Sequence, residues 1–297
     1  MSVLGRIRRA GAAVLLCLAL AFWAAAGAAT AKPPMWIARS NTATVILFGS
    51  IHLLPAGLDW RPADLDAALD KADELWFELP ITPQSDRTAI EASHALENLP
   101  GDETLSSLLT PSAAEKLKRA ADALHCSFEA LDRMRPWMAE LTLSLAQDAQ
   151  MGASASSGVE DQIQAITAPK VKRSAFETPA EQIALLAKAP MSDQIASLDW
   201  TLHEIEDDPQ TYRRVVDAWM AGDTASIERD ALDPLRRISP NLYQRLLAAR
   251  NRRWTKRILG RLRGQGLVVV VVGVGHLLGP DGVPAQLRAS GVSVEGP

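Results

Sequence analysis

The chain has 297 residues, with 31 basic against 35 acidic side chains, a net charge of −4 and an apolar fraction of 47%. This composition excludes a disordered, collagen-like or coiled-coil chain and leaves ample apolar material for one large domain or two small ones. A weakly acidic chain lacks the basic face that nucleic acid requires, so no nucleic-acid partner is expected.

In chain order, residues 1–31 read as a secretory signal peptide. Arg6, Arg8 and Arg9 precede an apolar stretch over 10–26, and Ala29-Thr30-Ala31 gives a small-x-small cleavage pattern before Lys32. An exported, periplasmic protein is expected. If uncleaved, the stretch is nearly long enough to span a bilayer and would anchor the chain in the membrane. Cys17 follows Leu16 rather than a small residue, against a lipoprotein cysteine. Cleavage removes three Arg and no acid, leaving 28 basic and 35 acidic residues, a net −7, with Cys126 as the one remaining cysteine. No internal disulfide is then available, so stability must come from core packing.

Thr44-Val45-Ile46-Leu47-Phe48 is β-branched and apolar and predicts a buried strand that stops at Gly49-Ser50-Ile51-His52. A helix over 62–72 with Pro62 in its first turn leads to a second strand at 75–77, ending on Glu78. A helical middle follows. Thr110-Pro111 caps one helix, a second covers 136–150, residues 151–158 form a small-residue linker, and 159–168 is helical again. Residues 170–176 are a third strand candidate, ending on Glu177, and Thr178-Pro179-Ala180-Glu181 is a capping box. Helices fill most of 191–263, a long one starting at Ser239-Pro240. The strongest strand, 267–272, stops at Gly273-Val274-Gly275-His276, before a short helix at 281–290 and a last strand at 292–295. The expected fold is α/β. A mainly parallel sheet is built from two Gly-x-x-His half-repeats at the chain ends, in one domain over 32–297, with helical insertions at about 81–168 and 190–263.

Four predicted strands thus end on a polar group: His52, Glu78, Glu177 and His276. In open α/β sheets ligands bind beyond the carboxyl ends of the strands, so parallel neighbours would bring these four side chains to one rim. The string Gly-x-x-His-Leu-Leu occurs twice, and core packing has no need of a repeated imidazole. Gly49 and Gly273 let the chain leave the strand sharply, and Gly275 is expected to remove bulk beside His276. Two imidazoles and two carboxylates suit a divalent zinc, manganese or cobalt ion. They equally suit metal-free hydrolysis in which a carboxylate orients a histidine that activates water. The plainer readings are a strand-end carboxylate at Glu78 and a helix-start acid at Glu177. His94, His125 and His203 read as surface or packing residues on helices. Cys126 and His125, adjacent on a helix, point apart. The basic run Arg250-Asn251-Arg252-Arg253-Trp254 reads plainly as a solvated helix face with Trp254 in the core, or, functionally, as Arg250 or Asn251 pointing toward the rim to bind a carbonyl or carboxylate; Trp137 and Trp219 are core residues.

The paired motifs resemble the TraB/GumN (TraB/PrgY/GumN) family. Gly49-Ser50-Ile51-His52-Leu53-Leu54-Pro55, continuing to Gly57-Leu58-Asp59-Trp60, is similar to its opening signature. Gly158-Val159-Glu160 and Phe176-Glu177-Thr178 with Gln182 are similar to its middle motifs. Arg250-Asn251, Trp254 and residues 275–282 resemble its closing signature. Glu160 stands where many relatives carry Asp. The resemblance implies a fold related to erythromycin esterases and the haem-binding ChaN-like proteins, and kinship with the TIKI metalloproteases. By that kinship His52, His276, Glu78 and Glu177 are the expected metal ligands, and Glu78, Glu177 and Arg250 the expected catalytic groups. The implied activity is that of an exported metal-dependent hydrolase, foremost a peptidase, acting on a peptide or small-molecule substrate. The alternatives are a metal-free His/Glu esterase and a non-catalytic protein that binds haem or a partner in polysaccharide export.

Overall fold

The β-branched runs of the sequence form the centre of a six-stranded sheet. The computed structural model describes residues 31–297; the signal peptide expected over 1–31 lies, but for Ala31, outside the described residues. The strands are β1 (Met35–Arg39), β2 (Ala43–Ser50), β3 (Leu54–Pro55), β4 (Glu74–Phe77), β5 (Ala153–Ser154), β6 (Lys172–Ala175), β7 (Gly266–Gly273) and β8 (Ser293–Glu295). The large sheet has the order β6-β4-β7-β2-β1-β8, and β3 with β5 makes a separate two-stranded ribbon. Strands β6, β4, β7 and β2 are parallel neighbours, while β1 is antiparallel to β2 and to β8. The valines at 268–272 are at most 1% exposed, as expected of a parallel strand covered on both faces.

The strand orders refine the expected half-repeats. β2 and β7, which precede the two Gly-x-x-His strings, lie side by side, with Ser50 opposite Gly273. The strands that follow them go to opposite sides: β4 lies beyond β7, and β8 lies at the far edge beyond β1.

The longer helices are α1 (Ala63–Leu69), α2 (Pro83–His94), α3 (Pro111–Ala123), α4 (Pro136–Gln150), α5 (Val159–Ile166), α6 (Pro179–Ala187), α7 (Met191–Asp207), α8 (Thr211–Ala221), α9 (Ala249–Leu262) and α10 (Val283–Ala289). The capping box at Thr178 forms, with Glu181 reaching back to the Thr178 backbone N–H. The helix expected from Ser239-Pro240 runs through Pro240–Tyr243 and a π turn at Gln244–Ala248 into α9. Such turns collect at functional sites, and this one ends two residues before Arg250.

Two apolar cores result. One lies against the sheet and includes Phe48, Trp60, Trp219 and Trp254. The other lies within the helical insertion, where Leu117, Leu143, Leu198 and Leu202 of α3, α4 and α7 meet. Three details depart from the sequence reading. Strand β1 was not anticipated. The linker over 151–158 contains β5. His125 and Cys126 lie past the end of α3, with His125 in the left-handed region at φ 56°. Among the described residues, no helix is long and apolar enough to cross a membrane.

Candidate functional site

The parallel order of β6, β4, β7 and β2 delivers Glu177, Glu78, His276 and His52 to the carboxyl edge of the sheet as successive neighbours. They are not equivalent there. Glu78, Glu177 and His276 are 6%, 7% and 4% exposed, whereas 61% of the His52 side chain meets solvent.

The buried part of the site is organised by Arg250, from the start of α9. Its Nη2 donates to Glu78 Oε2 at 2.7 Å and its Nε to Glu177 Oε2 at 2.9 Å. Its Nη1 donates to the Leu246 carbonyl at 2.8 Å and faces His276 Nε2 at 3.0 Å. The guanidinium also stacks 4.7 Å from the Trp254 ring centroid. A planar fork with five donors suits this bridging of two carboxylates. Glu177 accepts further hydrogen bonds from Arg253 Nη2 and Trp254 Nε1. Glu78 accepts from the Gly273 backbone N–H at 2.8 Å and from Gln182 Nε2 at 3.2 Å.

Asn251 fixes His276. Its Nδ2 donates to the Asp281 carbonyl at 2.8 Å, which leaves Oδ1 to meet His276 Nδ1 at 2.5 Å. Nδ1 therefore carries the proton and Nε2 presents a lone pair to Arg250, an assignment made from the hydrogen-bond network. Burial, reinforced by Arg250 and His52, holds the His276 pKa down to about 3 against the pull of Glu78. Burial alone would raise Glu78. His276, Arg250, His52 and the Gly273 N–H outweigh it and hold that carboxyl at about 2.

His52 has a different partner. Its Nδ1 lies 2.8 Å from Glu160 Oε1, and Ser50 Oγ donates to the same oxygen. The charge of Glu160 raises the imidazole to about 9. The ring stays largely in solvent, which screens that pull but not its direction. Glu160 reaches His52 because α5 is docked on the His52 turn. β3 pairs with β5, and the Val159 N–H donates to the Ile51 carbonyl at 3.2 Å. A Cβ at Gly158 would collide with the His52 carbonyl oxygen, so only glycine fits this approach. At Gly273 a Cβ would stand 3.2 Å from Glu78 Oε1 and 3.5 Å from His52 Nε2, so this glycine also serves close approach rather than a positive φ. At Gly275 a Cβ would stand 3.1 Å from Leu232, so this glycine admits that side chain.

His52, Glu78, Glu160 and Gln182 border a cleft of 290 Å³ whose walls also include Ile81 and Pro179. Arg250, expected at the rim, is instead 4% exposed beneath it. Both residues between which the sequence left a choice, Arg250 and Asn251, contact the cluster. Glu177 is fully engaged by Arg250, Arg253 and Trp254, and a guanidinium occupies the space between the two carboxylates. Among the described residues, no three His, Cys, Asp or Glu side chains are grouped to hold a metal ion. As arranged, these residues do not fit a divalent metal.

The remaining histidines stand apart from the site. His94 pairs with Glu97 and His203 with Asp207 at the surface. Glu160 and Gln182 were visible in the sequence only as motif residues; neither their spacing nor their neighbours signalled a hydrogen bond to a strand-end group more than 100 positions away.

Fold and site together define an α/β protein with a His/Glu/Arg cluster at the carboxyl edge of a mostly parallel sheet. The model of the TraB/PrgY/gumN family matches residues 34–296, and the chain belongs to that family. No curated protein and no solved structure matches it.

Proposed function

We propose that the protein is an exported hydrolase of acyl bonds, in peptides or in small esters, in which His52 moves the proton. One observation carries this reading: His52 is the ring of the cluster that is both oriented through Nδ1 by a carboxylate and open to the cleft. In its neutral form Nε2 takes a proton from water as the water oxygen bonds to the acyl carbon. The imidazolium then returns that proton to the departing amine or alkoxide as the C–N or C–O bond breaks. Glu160 stabilises the imidazolium and fixes the ring. The buried Glu78–Arg250–Glu177–His276 block holds a preorganised field beneath it. Perturbed ionisations gathered beside one cleft support a catalytic role. The kinship with the erythromycin esterase fold, and descent from two half-repeats, belong to this proposal.

The metal-dependent form of the reading takes His52, His276, Glu78 and Glu177 as ligands of zinc, manganese or cobalt. It requires Arg250 to leave both carboxylates. Metal content of the purified protein, and turnover of p-nitrophenyl ester and fluorogenic peptide panels with and without chelator, separate the two forms. The proposal expects turnover that survives chelation and disappears in His52→Ala. Full activity in His52→Ala, or no turnover on either panel, refutes it. Export is checked by the N-terminal sequence of the periplasmic protein, expected to start at Lys32.

A further inference from the structure

A second cavity, of 370 Å³, lies among α4, α6, α7, α8 and the helical segments over 230–246. It shares no lining residue with the His52 cleft. The two are nonetheless close along α6, since Gln182 lines the cleft and Leu186, one turn on, lines the cavity. One part of its wall is apolar, formed by Leu186, Leu235, Ile238, Leu242 and Leu246.

Another part of the wall is acidic, and its carboxylates outnumber the cations beside them. Glu140, Asp148 and Glu204 line the cavity, and none has a salt-bridge partner among the described residues. The nearby cations have other partners, although His203 and Arg214 also favour the ionised form of Glu204. Arg214 holds Asp208 and Asp230, and Arg237 sits 5.8 Å from the Trp200 ring centroid. Ser197 and Thr201 donate to one oxygen of Glu140, at 2.7 and 3.4 Å. Two neutral donors do not balance a carboxylate charge out of water. Burial accordingly pushes the Glu140 carboxyl up to about 7 and Asp148 up to about 6, and the charge of Glu204 adds to the shift at Glu140. An independent observation points the same way. Ser239, which also lines the cavity, is 2% exposed, and its hydroxyl has no hydrogen-bond partner. Buried polar groups are nearly always paired, so both the carboxyls and this hydroxyl lack a complement that a ligand would supply.

We propose that this cavity binds a small primary alkylamine, with the ammonium group held by Glu140 and Glu204 and the apolar body lying on Leu186, Leu235, Ile238, Leu242 and Leu246. An ammonium offers three donors and no acceptor, which matches carboxylates and an unmet hydroxyl. An apolar wall with a few convergent polar groups is the usual composition of a small-molecule site.

Calorimetric titration of the purified protein with octylamine, octan-1-ol and octanoate tests this. Octylamine is expected to bind saturably at one site, octan-1-ol at least tenfold more weakly, and octanoate not at all. Glu140→Gln, which keeps the side-chain shape, is expected to weaken octylamine by roughly tenfold or more, as the charge-assisted bond is lost. Glu160→Gln, in the other cleft, leaves the affinity unchanged. Equal affinity for amine and alcohol, unsaturable amine binding, wild-type affinity in Glu140→Gln, or loss of affinity in Glu160→Gln overturns the assignment. Should Glu140→Gln fail to fold, the amine-against-alcohol comparison on the wild-type protein decides alone.

Discussion

Replacing Arg250 by Met removes the cation that bridges Glu78 and Glu177 while keeping most of the side-chain volume. The side chains of Arg250, Glu78 and Glu177 are 5%, 7% and 4% exposed, so water does not replace the guanidinium. Glu177 retains Arg253 and Trp254. Glu78 keeps the Gly273 N–H, Gln182, and His276 Nε2 at 3.7 Å, with His52 as the remaining nearby charge. Removing one partner of a buried pair costs about 3–5 kcal/mol. For a domain of this size that is a fall in Tm of roughly 6–20 °C. The sign with pH follows from Glu78. Its folded pKa, about 2, lies below the ordinary value, so its contribution is present above the ordinary carboxylate pKa and is lost as pH falls through about 2. Without Arg250 one of the influences that oppose burial is gone, and the carboxyl protonates at higher pH. The gap between wild type and Arg250→Met is therefore expected to be widest near neutral pH and to narrow as pH falls toward about 4. Urea denaturation followed by far-UV circular dichroism at several pH values measures it. Arg250→Lys restores charge but not the fork and is expected to recover only part of the loss. A variant within about 1 kcal/mol of wild type near neutral pH, or a gap that ignores pH, would falsify the view that this ion cluster is an electrostatic unit.

Two further outcomes follow from His52. Glu160→Gln removes the charge that raises its imidazole, so the NMR titration of His52 is expected to move from about 9 toward the ordinary histidine range. Because the folded pKa is raised, the stabilisation from this pair is complete below the ordinary value and fades as pH rises through about 9. The acid limb of any hydrolytic pH–rate profile should shift downward with the titration; an unmoved titration removes Glu160 as the cause. Gly158→Ala places a methyl group against the His52 carbonyl and is expected to destabilise the protein by about 1–3 kcal/mol. The shift of the His52 resonances reports the displacement, and wild-type stability with unshifted resonances contradicts the close packing.

The sequence exposed the site's contributors more readily than their arrangement. Val269 and its neighbours, or Ile46 and Leu47, mark buried strands by composition alone, and the polar residue ending each strand stands out against that background. The neighbour order β6-β4-β7-β2 depends on pairing between segments up to more than 200 positions apart, which no local pattern encodes. β1 escaped because Trp36-Ile37-Ala38-Arg39 is short and follows two prolines. Glu177 looked like a metal ligand because a strand-end carboxylate near histidines carries that chemistry as readily as an ion pair; the guanidinium that claims it arrives from α9. Arg250 and Asn251 were both detectable as polar residues in a helix with an apolar face, but their division of labour, one serving the carboxylates and one serving His276, exists only in three dimensions.

The pairing of β2 with β7 has a bearing on biogenesis. Residues from the two extremes of the translated domain stand side by side, so His52 gains its buried neighbours only after the last strands have been delivered. Contacts of such long range form late in folding. A nascent or C-terminally shortened chain would hold its sheet without a central strand and could not build the cleft.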